Sequence, residues 1–360
     1  MGKNLYFPNL NGLRFIAATL VMIHHTEQRK SMFHLGNYWH NTSILMIGKL
    51  GVVMFFVLSG YLITYLLLNE EDNKGNISIK NFYVRRILRI WPLYFLIFIL
   101  AFLVLPHFEL FHYYVYDISY DNFPWITFFL FLFMLPNMAL SQGLYVPYDN
   151  QSWSIGTEEQ FYLSWPFLMI VFRKYRKYLM YSIIFIYVII KVVCALTDPF
   201  IFGIDIYAFW QVFNIDCMAI GGLFAIWSFQ QEGILKYLKN TKLFYLTVVA
   251  TILLISLGVR FSILEYEVYG VLFAIIILNL STNEDLKKTL ENRVFNYLGT
   301  ISYGIYMYHP IALVVSIKLF MAMGWNIWFV FPLIFLITVI LAHLSYKYFE
   351  MFFLRLKNKF

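Results

Sequence analysis

Charge is scarce in this 360-residue chain. Asp, Glu, Lys and Arg make up 13% of it, where a soluble domain carries about a quarter. That scarcity, with a mean hydropathy of +0.68, excludes an ordinary soluble globule, a disordered tail and a fibrous repeat. Cysteine is scarcer still. Cys194 and Cys217 both fall inside apolar runs, too few for a disulfide framework, and no Cys/His spacing fits a zinc site. A cleavage signal is also missing. The apolar stretch Phe15 to Ile23 runs into His24, His25, Thr26 and Glu27 with no small-x-small site, so it reads as an uncleaved first span. No tandem repeat is visible.

What the chain has in abundance is apolar runs of bilayer-crossing length, since 61% of it is hydrophobic and 21% aromatic. A span needs about 20 apolar residues. The runs fall at 11–26, 44–68, 90–105, 159–172, 178–196, 208–229, 243–258, 266–280, 298–321 and 327–346. The expected fold is therefore all-α: a polytopic integral membrane helical bundle with about ten transmembrane helices, forming one domain over residues 1–360.

Basic residues set the expected orientation. They cluster at Arg85/Arg86/Arg89, Arg173/Lys174/Arg176/Lys177, Lys236/Lys239/Lys242, Lys287/Lys288/Arg293 and Arg355/Lys357/Lys359. If all five clusters face the cytoplasm, the parity works only when the short apolar stretch 126–140 enters and leaves on one side. It is therefore expected to be re-entrant. Both termini then face inward, as does Lys3, in a multi-pass protein of the inner cell membrane. Asp117, Asp121, Asp149, Glu265 and Glu267 fall in outer loops. The net charge of +7 becomes a topology signal and gives no reason to expect a nucleic-acid partner. The aromatics of the outer loops 106–125 and 141–152 suit either an interfacial belt or a sugar-stacking surface.

Five motifs could carry chemistry. Arg14 and His25 are eleven residues apart, and eleven helical steps return to within about 20° of the start, so both project from one face roughly 16 Å apart. An ionisable residue inside a span is a functional hypothesis; the alternative is a histidine pair capping the span. Ser59–Gly60 permits either close helix packing or backbone approach to a ligand. Arg85, Arg86 and Arg89 serve either orientation or the multidentate recognition of phosphate. Glu158 and Glu159 begin a span, either as a solvated first turn or paired inside the bundle. Tyr303, Tyr306 and His309 form a polar stripe that faces an internal cavity or leaves His309 a satisfied core histidine.

Taken together these segments resemble the membrane acyltransferase type 3 family over nearly the whole chain. Arg14 and His25 match its Arg-x10-His pattern. Phe55 to Gly60 matches Phe-Phe-x-x-Ser-Gly, and Arg85 to Tyr94 matches Arg-Arg-x-x-Arg-Ile-x-Pro-x-Tyr. Trp153, Ser154, Glu158, Phe161 and Tyr162 fit Trp-Ser-x-x-x-Glu-x-x-Phe-Tyr, and Ser302 to Pro310 is similar to the late Ser-Tyr-x-x-Tyr-x-x-His segment. Val53 stands where many members carry Asp, and Ile155 replaces the usual Leu. The expected form is the stand-alone one, without an appended extracellular hydrolase-like domain.

The resemblance implies transfer of an acyl group, usually acetyl, from cytosolic acyl-CoA to a hydroxyl of a carbohydrate such as a surface polysaccharide or its lipid-linked precursor. Acyl-CoA is then a co-substrate, and no cofactor is permanently bound. Arg85, Arg86, Arg89, Tyr94 and Ser59 would hold it. His25 would act as general base or acyl carrier, with Glu158 orienting the imidazole and Arg14 completing the catalytic set. Trp153, Tyr303, Tyr306 and His309 would contact the acceptor. A rival of another class is a polytopic transporter of a lipid-linked glycan or small molecule, whose sign would be paired broken helices in two similar halves.

Overall fold

A computed structural model describes residues 6–112, 124–201, 204–357 and 359–360. Lys3, Asp117 and Asp121 lie outside the described residues. The chain folds as helices joined by short loops, because a backbone in hydrocarbon must satisfy its own polar groups. In chain order the helices are α1 (Leu10–Met32), α2 (Thr42–Lys74), α3 (Ile79–Ile99), α4 (Trp125–Leu132), α5 (Pro136–Ser141), α6 (Trp153–Val171), α7 (Arg176–Thr197) and α8 (Ile206–Val212). They continue with α9 (Ile215–Gln230), α10 (Leu235–Leu238), α11 (Thr241–Ser256), α12 (Glu265–Thr282), α13 (Arg293–Thr300), α14 (Ser302–Met323), α15 (Val330–Ser345) and α16 (Met351–Lys357). Among the described residues, the one strand pairing is a two-residue antiparallel ladder, Phe200–Ile201 with Ile204–Asp205.

Helix ends follow local chemistry. Asn41 caps α2 by accepting from the Ser43 N–H, and Asn240 caps α11 by accepting from Lys242 and Leu243. Gly75 at φ 77° and Gly324 at φ 62° end α2 and α14 in the left-handed conformation that glycine adopts without strain.

Seven helical segments among the described residues are long and apolar enough to cross a membrane, fewer than the ten stretches expected. The other three stretches are helical but fall short for physical reasons. α1 carries Arg14, His24 and His25 and ends in charge; α6 carries Glu158 and Glu159; α11 has 16 residues. The stretch expected over 208–229 breaks at Phe213–Asn214 between α8 and α9. The stretch 126–140 is two helices of 8 and 6 residues, broken at Met134 with φ 59°. The longer rises about 12 Å, less than a ~30 Å core requires. A reciprocal amide pair ties it to α6: Asn137 Nδ2 donates to Gln160 Oε1 at 3.0 Å, and Gln160 Nε2 to Asn137 Oδ1 at 2.9 Å.

Glu267 is not a loop residue. It lies buried in α12 and pairs with Lys191 of α7 at 2.8 Å, as a charge withdrawn from water requires.

α2 is the central post, packed against α1, α9 and α12. Its closest approach is to α9, where Gly60 meets the Met218 backbone and Gly221 meets Val57; a Cβ on either would fall on the facing carbonyl oxygen. Small residues let backbones approach in this way. Gly60→Ala should therefore lower stability by at least about 1–3 kcal/mol, read as a lowered Tm in detergent. An unchanged Tm would contradict this packing.

Candidate active site

The start of α1 is pinned. Asn9, at φ 65°, is buried; its Nδ2 donates to the Leu280 and Leu286 carbonyls at 2.8 and 2.9 Å, and its Oδ1 accepts from Leu290 N–H at 2.7 Å. This fixes the rotation of the helix that carries Arg14 and His25. The eleven-residue spacing then delivers the two side chains to two different cavities along the same side of the bundle.

The first cavity, of about 360 Å³, holds Arg14, Arg86, Arg89 and Lys357 on its wall together with Ser59, Glu158, Tyr162 and Tyr303. It is strongly cationic. Arg14 donates to Asn11 Oδ1 at 3.0 Å, and Arg86 lies over the Tyr162 ring at 5.9 Å with its Nε buried and unpartnered. Among the described residues none of the four cations forms an ion pair. The carboxylate present, Glu158, receives the Tyr162 hydroxyl at 3.0 Å, and Tyr162 also bonds Ser59 Oγ. Tyr6 lies at this cavity too; burial first, then the hydrogen bond and charge of Glu291, push its phenol up to about 12, so it stays a neutral donor. A second space of about 310 Å³ shares Arg14, Arg89, Tyr303 and Lys357 and reaches to α16.

The second site cavity, of about 350 Å³, holds His24, His25, Lys49, Trp153 and Tyr145. Tyr306 lines both it and the cationic cavity. Its hydroxyl donates to the Gln151 carbonyl at 2.8 Å and lies 2.8 Å from Ser154 Oγ. His25 Nδ1 lies 2.7 Å from His309 Nε2, and His309 Nδ1 lies 2.6 Å from the Tyr306 carbonyl oxygen.

Most residues singled out in the sequence meet here, with changed neighbours. Arg14, Ser59, Arg86, Arg89, Glu158, Tyr303 and Tyr306 line the cationic cavity; His25, Trp153 and Tyr306 line the histidine cavity. Arg85 lies off the wall and pairs with Glu70 at 2.8 Å. Tyr94 is also off the wall and donates to the Phe131 carbonyl at 2.7 Å. Beside His25 stands His309, where Glu158 was expected; Glu158 bonds Tyr162 in the other cavity. Glu159 accepts from Trp91 Nε1 at 3.0 Å. Of the Ser59–Gly60 pair, the glycine packs closely on α9, the first of its two readings, and Ser59 lines the cationic cavity. Asp149 sits in a loop, as expected, but wholly buried; burial raises its carboxyl well above the usual range, opposed by the Ser152 hydroxyl.

Sequence reasoning missed Lys357, because a basic cluster after a last span reads as orientation. It also missed the pairing of His309 with His25, for which Pro310 is the available signal.

The family described as acyltransferase domain matches residues 7–347. The chain is 28% identical over 367 residues to the peptidoglycan O-acetyltransferase OatA of Listeria monocytogenes, covering 96% of this chain and 55% of that protein. It is 31% identical over 371 residues to the putative peptidoglycan O-acetyltransferase YrhL of Bacillus subtilis, covering 96% and 54%. It is 27% identical over 381 residues to a putative O-acetyltransferase of Staphylococcus aureus, covering 97% and 57%. The chain thus spans about half the length of the curated relatives it matches. No solved structure matches it.

Proposed function

The chain belongs to the acyltransferase domain family, and from that premise we propose that it is a membrane O-acetyltransferase moving acetyl from acetyl-CoA to a carbohydrate hydroxyl, with peptidoglycan the first acceptor to try. The observation that carries the reading is the pair of cavities that share Tyr306, one lined by four cations that form no ion pair among the described residues and the other holding His25. Coenzyme A brings several phosphates, and arginine forks suit them. Arg14, Arg86, Arg89 and Lys357 would receive the nucleotide end. The thioester would then reach past Tyr306 to His25. A sugar would enter the histidine cavity, where Trp153 lines the wall.

His25 performs the proton work. An alcohol is a poor nucleophile until a base takes its proton. The hydroxyl oxygen attacks the acetyl carbonyl, its proton passes to the imidazole, the C–S bond breaks, and the thiolate takes the proton back. The balance is ester plus free thiol. The same imidazole could instead carry the acetyl group before passing it on. Family membership favours such chemistry over the transporter reading. The expected placement is the inner cell membrane with both termini in the cytoplasm.

Incubating the purified protein with radiolabelled acetyl-CoA and peptidoglycan fragments tests the proposal. Label appearing as alkali-labile ester on the glycan supports it. Absence of transfer to any hydroxyl acceptor, with acetyl-CoA bound, would sink it.

A further inference from the structure

We infer that His309 is a positioning residue which locks His25 in the tautomer carrying hydrogen on Nδ1, leaving Nε2 as a free lone pair at the histidine cavity. This rests on the acyl-transfer reading for its consequence, but its geometry stands apart from it.

Pro310 sets the local hydrogen-bond pattern. In a continuous helix the N–H of residue 310 would bond the carbonyl of residue 306. Proline has no N–H, so the Tyr306 carbonyl is left without its helical donor inside α14. His309 Nδ1 supplies the missing donor at 2.6 Å. A carbonyl oxygen only accepts, so that nitrogen bears the hydrogen. In a neutral imidazole the other nitrogen is then a bare acceptor. His309 Nε2 therefore accepts, and the group facing it at 2.7 Å, His25 Nδ1, must donate. The ring planes are 8° apart with centroids 4.9 Å apart, which sets the rings edge to edge with the N–H pointing along the shared plane.

His25 is left with one lone pair, on Nε2. That atom has no hydrogen-bond partner among the described residues, and the residue lines the histidine cavity. His309 itself is 1% exposed and does not line that cavity. It acts through His25 and has no contact with an acceptor there. The device resembles a triad in logic, with a neutral imidazole and a backbone carbonyl in place of the carboxylate. Both routes open to His25 need the same atom. As a base, Nε2 takes the hydroxyl proton; as an acyl carrier, Nε2 attacks the thioester carbon.

Two variants separate hydrogen bonding from packing. His309→Leu fills much of the space without an acceptor. His309→Gln offers a carbonyl oxygen near the position of Nε2. With acetyl-CoA and glycan fragments, His309→Leu should lower kcat roughly 10- to 100-fold, as loss of a histidine-orienting partner does, with the KM for acetyl-CoA within about twofold. His309→Gln should recover most of that loss. Equal activities in the two variants would overturn the inference. An independent readout needs no turnover: long-range ¹⁵N–¹H spectra of the ¹⁵N-histidine-labelled protein in nanodiscs, with the His25 signals assigned by their loss in His25→Ala. Hydrogen on Nδ1 supports the inference, and hydrogen on Nε2 overturns it whatever the assay shows. Failure of transfer in the unmodified protein would instead count against the proposed function alone.

Discussion

His25→Ala should reduce acetyl transfer by about 10²–10⁴-fold, the range for loss of a general base, while the protein still inserts and purifies as a monodisperse species. The imidazole lines the histidine cavity, and Tyr306 lines both that cavity and the cationic one. The loss should fall in kcat, since the proton moves in the transition state and not in the resting complex. Initial rates at saturating acetyl-CoA, corrected for folded protein, check this. Near-normal turnover would remove His25 from the chemistry.

The double variant Arg86→Met, Arg89→Met should weaken acetyl-CoA binding by roughly 10²- to 10⁴-fold. A hydrogen bond to a charged group contributes about 1.5–3 kcal/mol, and two such groups are lost. The companion expectation concerns stability and has the opposite sign. Arg14, Arg86, Arg89 and Lys357 are half-buried and form no ion pair among the described residues, and charge partly withdrawn from water without a partner is costly. Replacing two of these cations by an apolar side chain of similar length should leave the Tm of the ligand-free protein unchanged or raised. Calorimetric titration with acetyl-CoA and thermal unfolding in detergent give both numbers. Cations that merely held the fold together would produce the reverse: a lowered Tm with binding intact.

Much of this site could be read from one dimension because its first element is a single helix. Arg14 and His25 share a face by the arithmetic of 3.6 residues per turn, and no tertiary information is needed to see it. The apolar runs likewise announce helices, since nothing else satisfies a backbone in lipid. The reading weakened wherever two helices had to be placed side by side. The arginine cluster illustrates this. Arg85 and Arg89 sit at i and i+4, Arg86 and Arg89 at i and i+3, so spacing permits either pair to face the ligand. Tertiary packing chooses, by setting Glu70 of α2 beside Arg85. His309 is 284 positions from His25, beyond the reach of any periodicity. Lys357 is hidden for another reason: the charge that orients a span and the charge that binds a phosphate are the same residue type in the same place. The break at Asn214 escaped notice because Gln211, Asn214 and Asp216, scattered in an apolar run, are compatible with an unbroken helix.

The central claim is that donor and acceptor meet from opposite ends of the bundle, at His25. Sealed vesicles containing the protein in one known orientation test it most directly. Radiolabelled acetyl-CoA is placed on the face bearing Arg86, Arg89 and Lys357, and an impermeant glycan acceptor on the other. The account predicts labelled ester on the glycan in this arrangement and none when both substrates are confined to the His25 face. Product formed equally well with both substrates on that one face would contradict it.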